Sequence, residues 1–415
     1  MARRTQGGST AQHSMATRKR RITPGRVVVA LIVVGIIGLA LFYGVGGWHF
    51  SNQIREDIFV VQEPAAPEYG LTVAAVDPAS ITLTGDEDDL TNPGLFGLRW
   101  PAGYAHVGDV LDTGTSDDGT PSATRAYPPF DEELADDGLA AGTAVDLDGF
   151  AFRGDPETVF GYRYEETTYT SEVGEMGAWL MPGTSDTWMI LVHGRGQNRE
   201  ELLRWLPIAH DRGYNALVID YRNDPGRGRD QSGWYQWGLT EWEDVADAAS
   251  FARQSGARDL VFVGTSMGGG AVLNFLAKSP LRNQTIAAIL DSPVSDLETV
   301  VDYNAAQTKL GIGPWNVPDS LTSVAKWLAS VRFDIDWDDY DHIDLWTEWH
   351  VPMLVIHGEG DQTIPVETSR LLAAKRPDLV TLLVTPEDVD HVLSWNYDPE
   401  GYAAAVDEFL DGIEG

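Results

Sequence analysis

Asp259-Leu-Val-Phe-Val-Gly264-Thr-Ser266-Met-Gly268-Gly-Gly-Ala-Val-Leu-Asn-Phe-Leu-Ala-Lys-Ser279 is the stretch on which the reading of the chain turns. The apolar run DLVFV predicts a buried strand, and the apolar positions of AVLNFLAK predict a helix packed on it. Gly264-Thr265-Ser266-Met267-Gly268 must turn the chain between the two. Such a turn strains the serine backbone, and small residues two before and two after it relieve the clash, leaving Oγ exposed at the strand's C-terminal edge. The helix that starts there aims backbone N–H groups at developing negative charge. Ser266 is therefore the candidate nucleophile; the plainer alternative is a Gly-rich turn with a capping serine.

A serine hydroxyl needs a base to take its proton. Of nine histidines, His391 in EDVDHVLSW is the best placed, on a loop after the last predicted strand and before the terminal helix. A carboxylate must orient the imidazole and stabilise its cation. Asp361, in HGEGDQTIP just after an apolar run, is the expected acid, with Asp291 in LDSP the weaker candidate.

Outward from this stretch, strands alternate with helices from about Gly174. TWMILVHG, NALVIDYR, TIAAILDSP, MLVIHGEGD and TLLVTPED read as strands. NREELLRWLPIAHDRGY, TEWEDVADAASFARQSG and PEGYAAAVDEFLDGI read as helices. The expected fold is α/β, a doubly wound, mostly parallel sheet. From about 174 to 415 the chain resembles the α/β-hydrolase superfamily through HGRGQN, GTSMGG, HGEGDQTIP and DHVLSW, in that family's order of Ser, Asp and His. The resemblance implies Ser266 as nucleophile, Asp361 as acid, His391 as base, and an oxyanion hole from the backbone N–H groups of Met267 and Arg195. HGRG departs from the HGGG run of one esterase branch. The Arg195 side chain has two readings, meeting a substrate carboxylate or facing solvent.

Residues from about 295 to 348 depart from the alternation and predict a short helical cap. Trp315, Trp327, Trp337, Trp346 and Trp349 cluster there, and Trp234, Tyr235 and Trp237 precede it; these aromatics either line a pocket or pack the cap, with packing the favoured reading. The acid run Asp334, Asp336, Asp338, Asp339, Asp341 lacks the Gly and Glu that a calcium loop needs at its sixth and twelfth positions. The loop Asp224-Pro225-Gly226-Arg227-Gly228 has no phosphate-binding fingerprint. Neither a cofactor nor a metal is implied.

Residues 51–173 predict a β-rich module, with LTVAAV, SITLT, FGLRW, GFAFRG and TVFGYRYEETTYT as its runs. Residues 1–26 carry seven basic residues and no acid. The rest of the chain holds 22 basic against 63 acidic residues, a net charge of −41. Val27–Trp48 is 22 residues without a charge, about 33 Å as a helix and enough to cross a bilayer. The basic side stays cytoplasmic under the positive-inside rule, which puts the catalytic part outside the cytoplasm on a single-pass anchor in the cell membrane. A cleaved signal peptide fits less well, because the run is long and no A-x-A site follows it. Absence of cysteine excludes disulfides, thiolate metal sites and cysteine nucleophiles. The acidity argues against nucleic acid. The function expected is a membrane-anchored, extracytoplasmic serine hydrolase, carboxylesterase or lipase-like, that cleaves a small-molecule carboxylic ester through an acyl-enzyme. A serine peptidase of the same fold is the alternative, and a non-enzymatic envelope scaffold the weaker one. Oligomeric state is not fixed by the sequence.

Overall fold

A computed structural model describes residues 23–61, 68–127, 139–311 and 313–414. The basic tail lies outside them up to residue 22. Pro24, with its fixed φ and missing donor, opens a helix that runs Pro24–Gln53, long and apolar enough to cross a membrane. It continues into a π-helical turn, Ile54–Phe59, whose wider winding buries both Ile54 and Phe59. Residues 51–59 therefore belong to this helical segment and not to the β-rich module. Phe59 is fully buried among Trp234, Trp337 and Tyr340, and its carbonyl accepts from the Tyr235 N–H at 2.8 Å.

The next strands form an antiparallel sheet: β1 (Leu71–Asp77), β2 (Ser80–Thr84), β3 (Phe96–Trp100), β4 (Gly103–Val107), β5 (Val110–Thr115), β6 (Pro121–Ala126) and β7 (Ala144–Asp148), in the order β4-β3-β7-β1-β2-β6-β5. Leu71 and Val73, Ile81 and Leu83, and Phe96 and Leu98 alternate inward to make its core. GFAFRG is not a strand here. It is a turn, with Ala151 at φ +63 and Gly154 at φ +120. TVFGYRYEETTYT is also divided, because Asp155 caps a short helix, Pro156–Phe160, before β8 (Glu165–Ser171) begins.

β8 forms a hairpin with β9 (Gly174–Met181), and both join the second sheet. That sheet thus starts nine residues before the boundary expected at 174, because β8 finds its ladder partner in β9. The other strands are β10 (Thr187–Val192), β11 (Asn215–Ile219), β12 (Asp259–Thr265), β13 (Thr285–Asp291), β14 (Met353–Gly358) and β15 (Val380–Thr385). The order is β15-β14-β13-β12-β10-β11-β9-β8, parallel from β11 to β15. Trp188, Ile190 and Val192 of β10 face one apolar core, and Met189 and Leu191 face the other. The run after β10 is not one long helix: Pro207 breaks it into a 3-10 turn, Arg199–Trp205, and a short helix, Leu206–Asp211. The cap comprises helices Leu297–Gln307 and Asp319–Phe333 and two 3-10 turns, Trp337–Tyr340 and His342–Glu348.

Candidate active site

Ser266 sits between β12 and the helix Met267–Lys278 with φ +51 and ψ −116, a conformation that only an over-determined turn sustains. The close packing behind it explains the glycines. A Cβ on Gly268 would lie 2.3 Å from the Val192 carbonyl oxygen, and one on Gly264 2.8 Å from that of Gly268. The elbow therefore needs glycine for backbone approach, and its serine is held against the ends of β10 and β12.

Three predicted residues meet in one line. His391 Nε2 lies 3.0 Å from Ser266 Oγ, and Nδ1 lies 2.6 Å from Asp361 Oδ2. With Nδ1–H donating to the carboxylate, Nε2 is left as an acceptor for the serine hydroxyl. Asp361 Oδ1 accepts from the N–H groups of Thr363 and Ile364 at 2.8 and 2.7 Å. Burial alone would raise the Asp361 carboxyl, but the charge of His391 and hydrogen bonds from His357 and His391 hold it well below the usual carboxylate range. Burial likewise opposes protonation of His391, yet the Asp361 charge and hydrogen bond prevail and raise its pKa above 6.5. Asp291 is engaged elsewhere: its carboxylate accepts from Tyr402 Oη at 2.7 Å.

The loop after β10 supplies the other wall. Gly194 donates its N–H to buried Glu201 Oε2 at 2.7 Å, while the Arg195 amide has no acceptor among the described residues. Met267 occupies the first position of its helix, where an amide has no intrahelical acceptor. His193 fixes this loop from behind, with Nε2 on Asp224 at 3.0 Å and Nδ1 on the Gly194 carbonyl at 2.8 Å. Burial works against its protonation, but the Asp224 charge and hydrogen bond, with that carbonyl, raise its pKa above the ordinary imidazole value. The Arg195 side chain is half-buried and lines the cavity. Its Nη1 donates to the Asp57 carbonyl at 2.6 Å, and its guanidinium lies over Trp237, 5.1 Å from the ring centre.

The model of the alpha/beta hydrolase family matches residues 189–405, just over half the chain. The chain belongs to that family. A second model, for a domain of unknown function, matches residues 72–138. Uncharacterized protein YfhR of Escherichia coli (strain K12) is 27% identical over 241 residues, covering 54% of this chain and 74% of that protein. Uncharacterized protein YqkD of Bacillus subtilis (strain 168) is 23% identical over 240 residues, covering 57% and 75%. An esterase of Pyrococcus furiosus, Pf2001, matches with a TM-score of 0.50 at 18% identity, covering 64% of this chain and 97% of its own; the likeness is one of fold.

Around this hydrolase-family constellation is a cavity of about 890 Å³. Leu297, Val300, Val317 and Ala325 of the cap give it an apolar wall, and Phe50 and Ile54 extend that wall from the N-terminal helix. Arg99 and Asp148 enter from the β-rich module. Of the aromatics weighed as pocket lining, Trp237 alone reaches the cavity; Trp337 and Trp349 are buried in packing, and Trp315 and Trp327 are exposed. Glu201 and His357 are site residues that motif reading missed. Glu201 lies within a run that looks like an ordinary amphipathic helix. His357 Nε2, 3.1 Å from Asp361 Oδ2, carries only the signal of a histidine at a strand end. His193, Asp220 and Asp224 are spaced as metal ligands can be. Arg199 and Arg227 pair with the two oxygens of Asp220, and His193 and the Tyr221 N–H both meet Asp224 Oδ2.

Proposed function

We propose that the chain is a membrane-anchored, extracytoplasmic serine hydrolase that cleaves carboxylic esters. The observation that carries this reading is the hydrogen-bonded line from Ser266 Oγ through His391 to Asp361, set on a positive-φ elbow. His391 Nε2 takes the hydroxyl proton as Oγ bonds to the carbonyl carbon. The Met267 and Arg195 amides donate to the resulting oxyanion. Collapse breaks the C–O bond, and the leaving alkoxide takes the proton from His391. Water, deprotonated by the same imidazole, then releases the acid and restores Ser266. The cap side chains Leu297, Val300, Val301, Val317 and Ala325 suit an acyl chain. The uncharged run Val27–Trp48, behind a basic tail, supports an anchor with the hydrolase outside the cytoplasm.

The test is hydrolysis of aryl esters of increasing acyl length by the purified chain, beside Ser266→Ala and a matched aryl amide. Ester turnover is expected to fall by about 10⁶ in the variant. Undiminished turnover in Ser266→Ala, or faster amide than ester cleavage, would reject the assignment.

A further inference from the structure

The N-terminal helix and the cap touch along a line that sets their relative depth. Ser320 Oγ meets Tyr43 Oη at 3.0 Å, Gly46 packs under Leu321, and Gly47 packs under Val324 and Leu328. Further along, Arg332 bonds to the Trp48 carbonyl, Ser51 and Asn52, and its guanidinium lies 3.4 Å from the centre of the Trp48 ring. The cap helix Asp319–Phe333 therefore runs beside the anchor in the same direction, starting level with Tyr43. Tyr43 lies about 7.5 Å inside the end of the uncharged run at Trp48. If the anchor spans a bilayer, the first turns of the cap helix are below the interface.

The surface at that end suits this depth. A hairpin closed by the Lys309–Asn316 bridge leads into the cap helix, and its sequence from Leu310 to Pro318, LGIGPWNVP, has no charge. Trp315 is 65% exposed. On the helix, Ser323, Trp327 and Val331 are four residues apart and share an exposed face that carries no charge beyond Asp319 at its first residue, with Trp327 62% and Val331 66% exposed. On a chain of net charge −34 such a face is an exception, and exposed tryptophans beside an apolar helix belong at a membrane interface. The same elements wall the cavity: Phe50 and Ile54 of the anchor, Val317 of the hairpin, and Thr322 and Ala325 of the cap helix.

Resting on the serine-hydrolase reading above, we infer that the cap hairpin and the outer face of its helix are immersed in the outer leaflet, and that the substrate is an acyl ester of a membrane lipid drawn from that leaflet. The acyl chain lies along the wall shared by anchor and cap, and the polar headgroup faces Arg99 and Asp148. Attack by Ser266 breaks the acyl C–O bond, the lysolipid oxygen leaves with the proton from His391, and water releases the acyl group as a fatty acid.

The experiment uses the full chain in phosphatidylcholine vesicles, reading fatty-acid release from the vesicle lipid and hydrolysis of a soluble butyrate aryl ester in one sample. The variant replaces Trp315→Ser and Trp327→Ser together. Fatty-acid release is expected to fall roughly tenfold, with aryl-ester turnover within about twofold of the parent. Quenching of tryptophan fluorescence by brominated phosphatidylcholine is expected to fall in the same variant. Aryl-ester turnover without lipid hydrolysis in the parent, or equal lipid hydrolysis and equal quenching in the variant, would overturn the inference and leave the serine-hydrolase reading standing. Ser266→Ala retaining both activities would overturn both.

Discussion

Ser266 and His391 are held in place by different means. The serine depends on its own neighbourhood: β12 leads in, the helix Met267–Lys278 leads out, Gly264 lets the strand approach the first turn of that helix, and Gly268 lets the helix approach the end of β10. The histidine sits on a loop that the β-rich module grips. Val389 and Leu393, on either side of His391, are buried in the module's core with Phe96 and Leu98, where each apolar side chain contributes about 2 kcal/mol. Asn396 Nδ2 donates to the carbonyls of Leu95 and Gly149 at 2.6 and 2.8 Å, and the Leu95 N–H returns a bond to the Asn396 carbonyl. Buried Arg125 ties down the segment before Leu95 by donating to the carbonyls of Asn92 and Gly94. Val392 takes φ +61, a strained value for a β-branched residue, and the Arg204 guanidinium holds its carbonyl at 3.2 Å. One side of the site is thus a local turn, and the other is assembled across two sheets.

The comparison can be broken most sharply at Asp361, proposed to orient His391 as base. Asp361→Asn should reduce ester kcat by about 10⁴, since an amide in that position no longer favours the Nδ1–H tautomer; a loss below tenfold would show that His357 or the loop itself orients His391. On the serine side, Gly268→Ala forces a Cβ against two carbonyl oxygens. It should cost about 3 kcal/mol of stability in urea unfolding, and an unchanged midpoint would mean that the elbow is looser than its contacts.

Asn396→Ala addresses the other support. It leaves the Leu95 and Gly149 carbonyls without that donor, so about 2 kcal/mol of stability should be lost, together with roughly tenfold in kcat from a displaced base. Full activity with lowered stability would reduce the module to a passive neighbour. The smallest effect lies in the pH profile. An imidazole can act as a base only when neutral, and Asp361 raises the pKa of His391 against the opposing effect of burial. The ester rate should therefore fall as pH drops through a midpoint above 6.5, and Asp361→Asn should move that midpoint to lower pH. A midpoint that stays put would uncouple the two residues.

This division explains what motif reading recovers. The parallel strands are legible because they are short continuous apolar runs, and the elbow because its glycines flank the serine within five residues. Pro207 and the Asp155–Pro156 cap are local signals as well, yet their effect is set by competing tendencies: helical spacing continues past Pro207, and the short helix itself contains the β-branched Thr158 and Val159. The strand β8 leaves the β-rich run before it and joins the second sheet because its hairpin partner β9 lies there.

The sequence by itself determined the order Ser266, Asp361, His391 and the 22-residue apolar run, since both follow from residue type and spacing along the chain. The tertiary structure decided which acid meets His391, leaving Asp291 to Tyr402. It also turned Arg195 toward the Asp57 carbonyl and brought the end of the N-terminal helix into the wall of the cavity. The physical reason is range. A turn or an apolar segment is fixed by interactions within a few residues, whereas a hydrogen bond between positions 30 to 140 apart exists only once the intervening strands have packed.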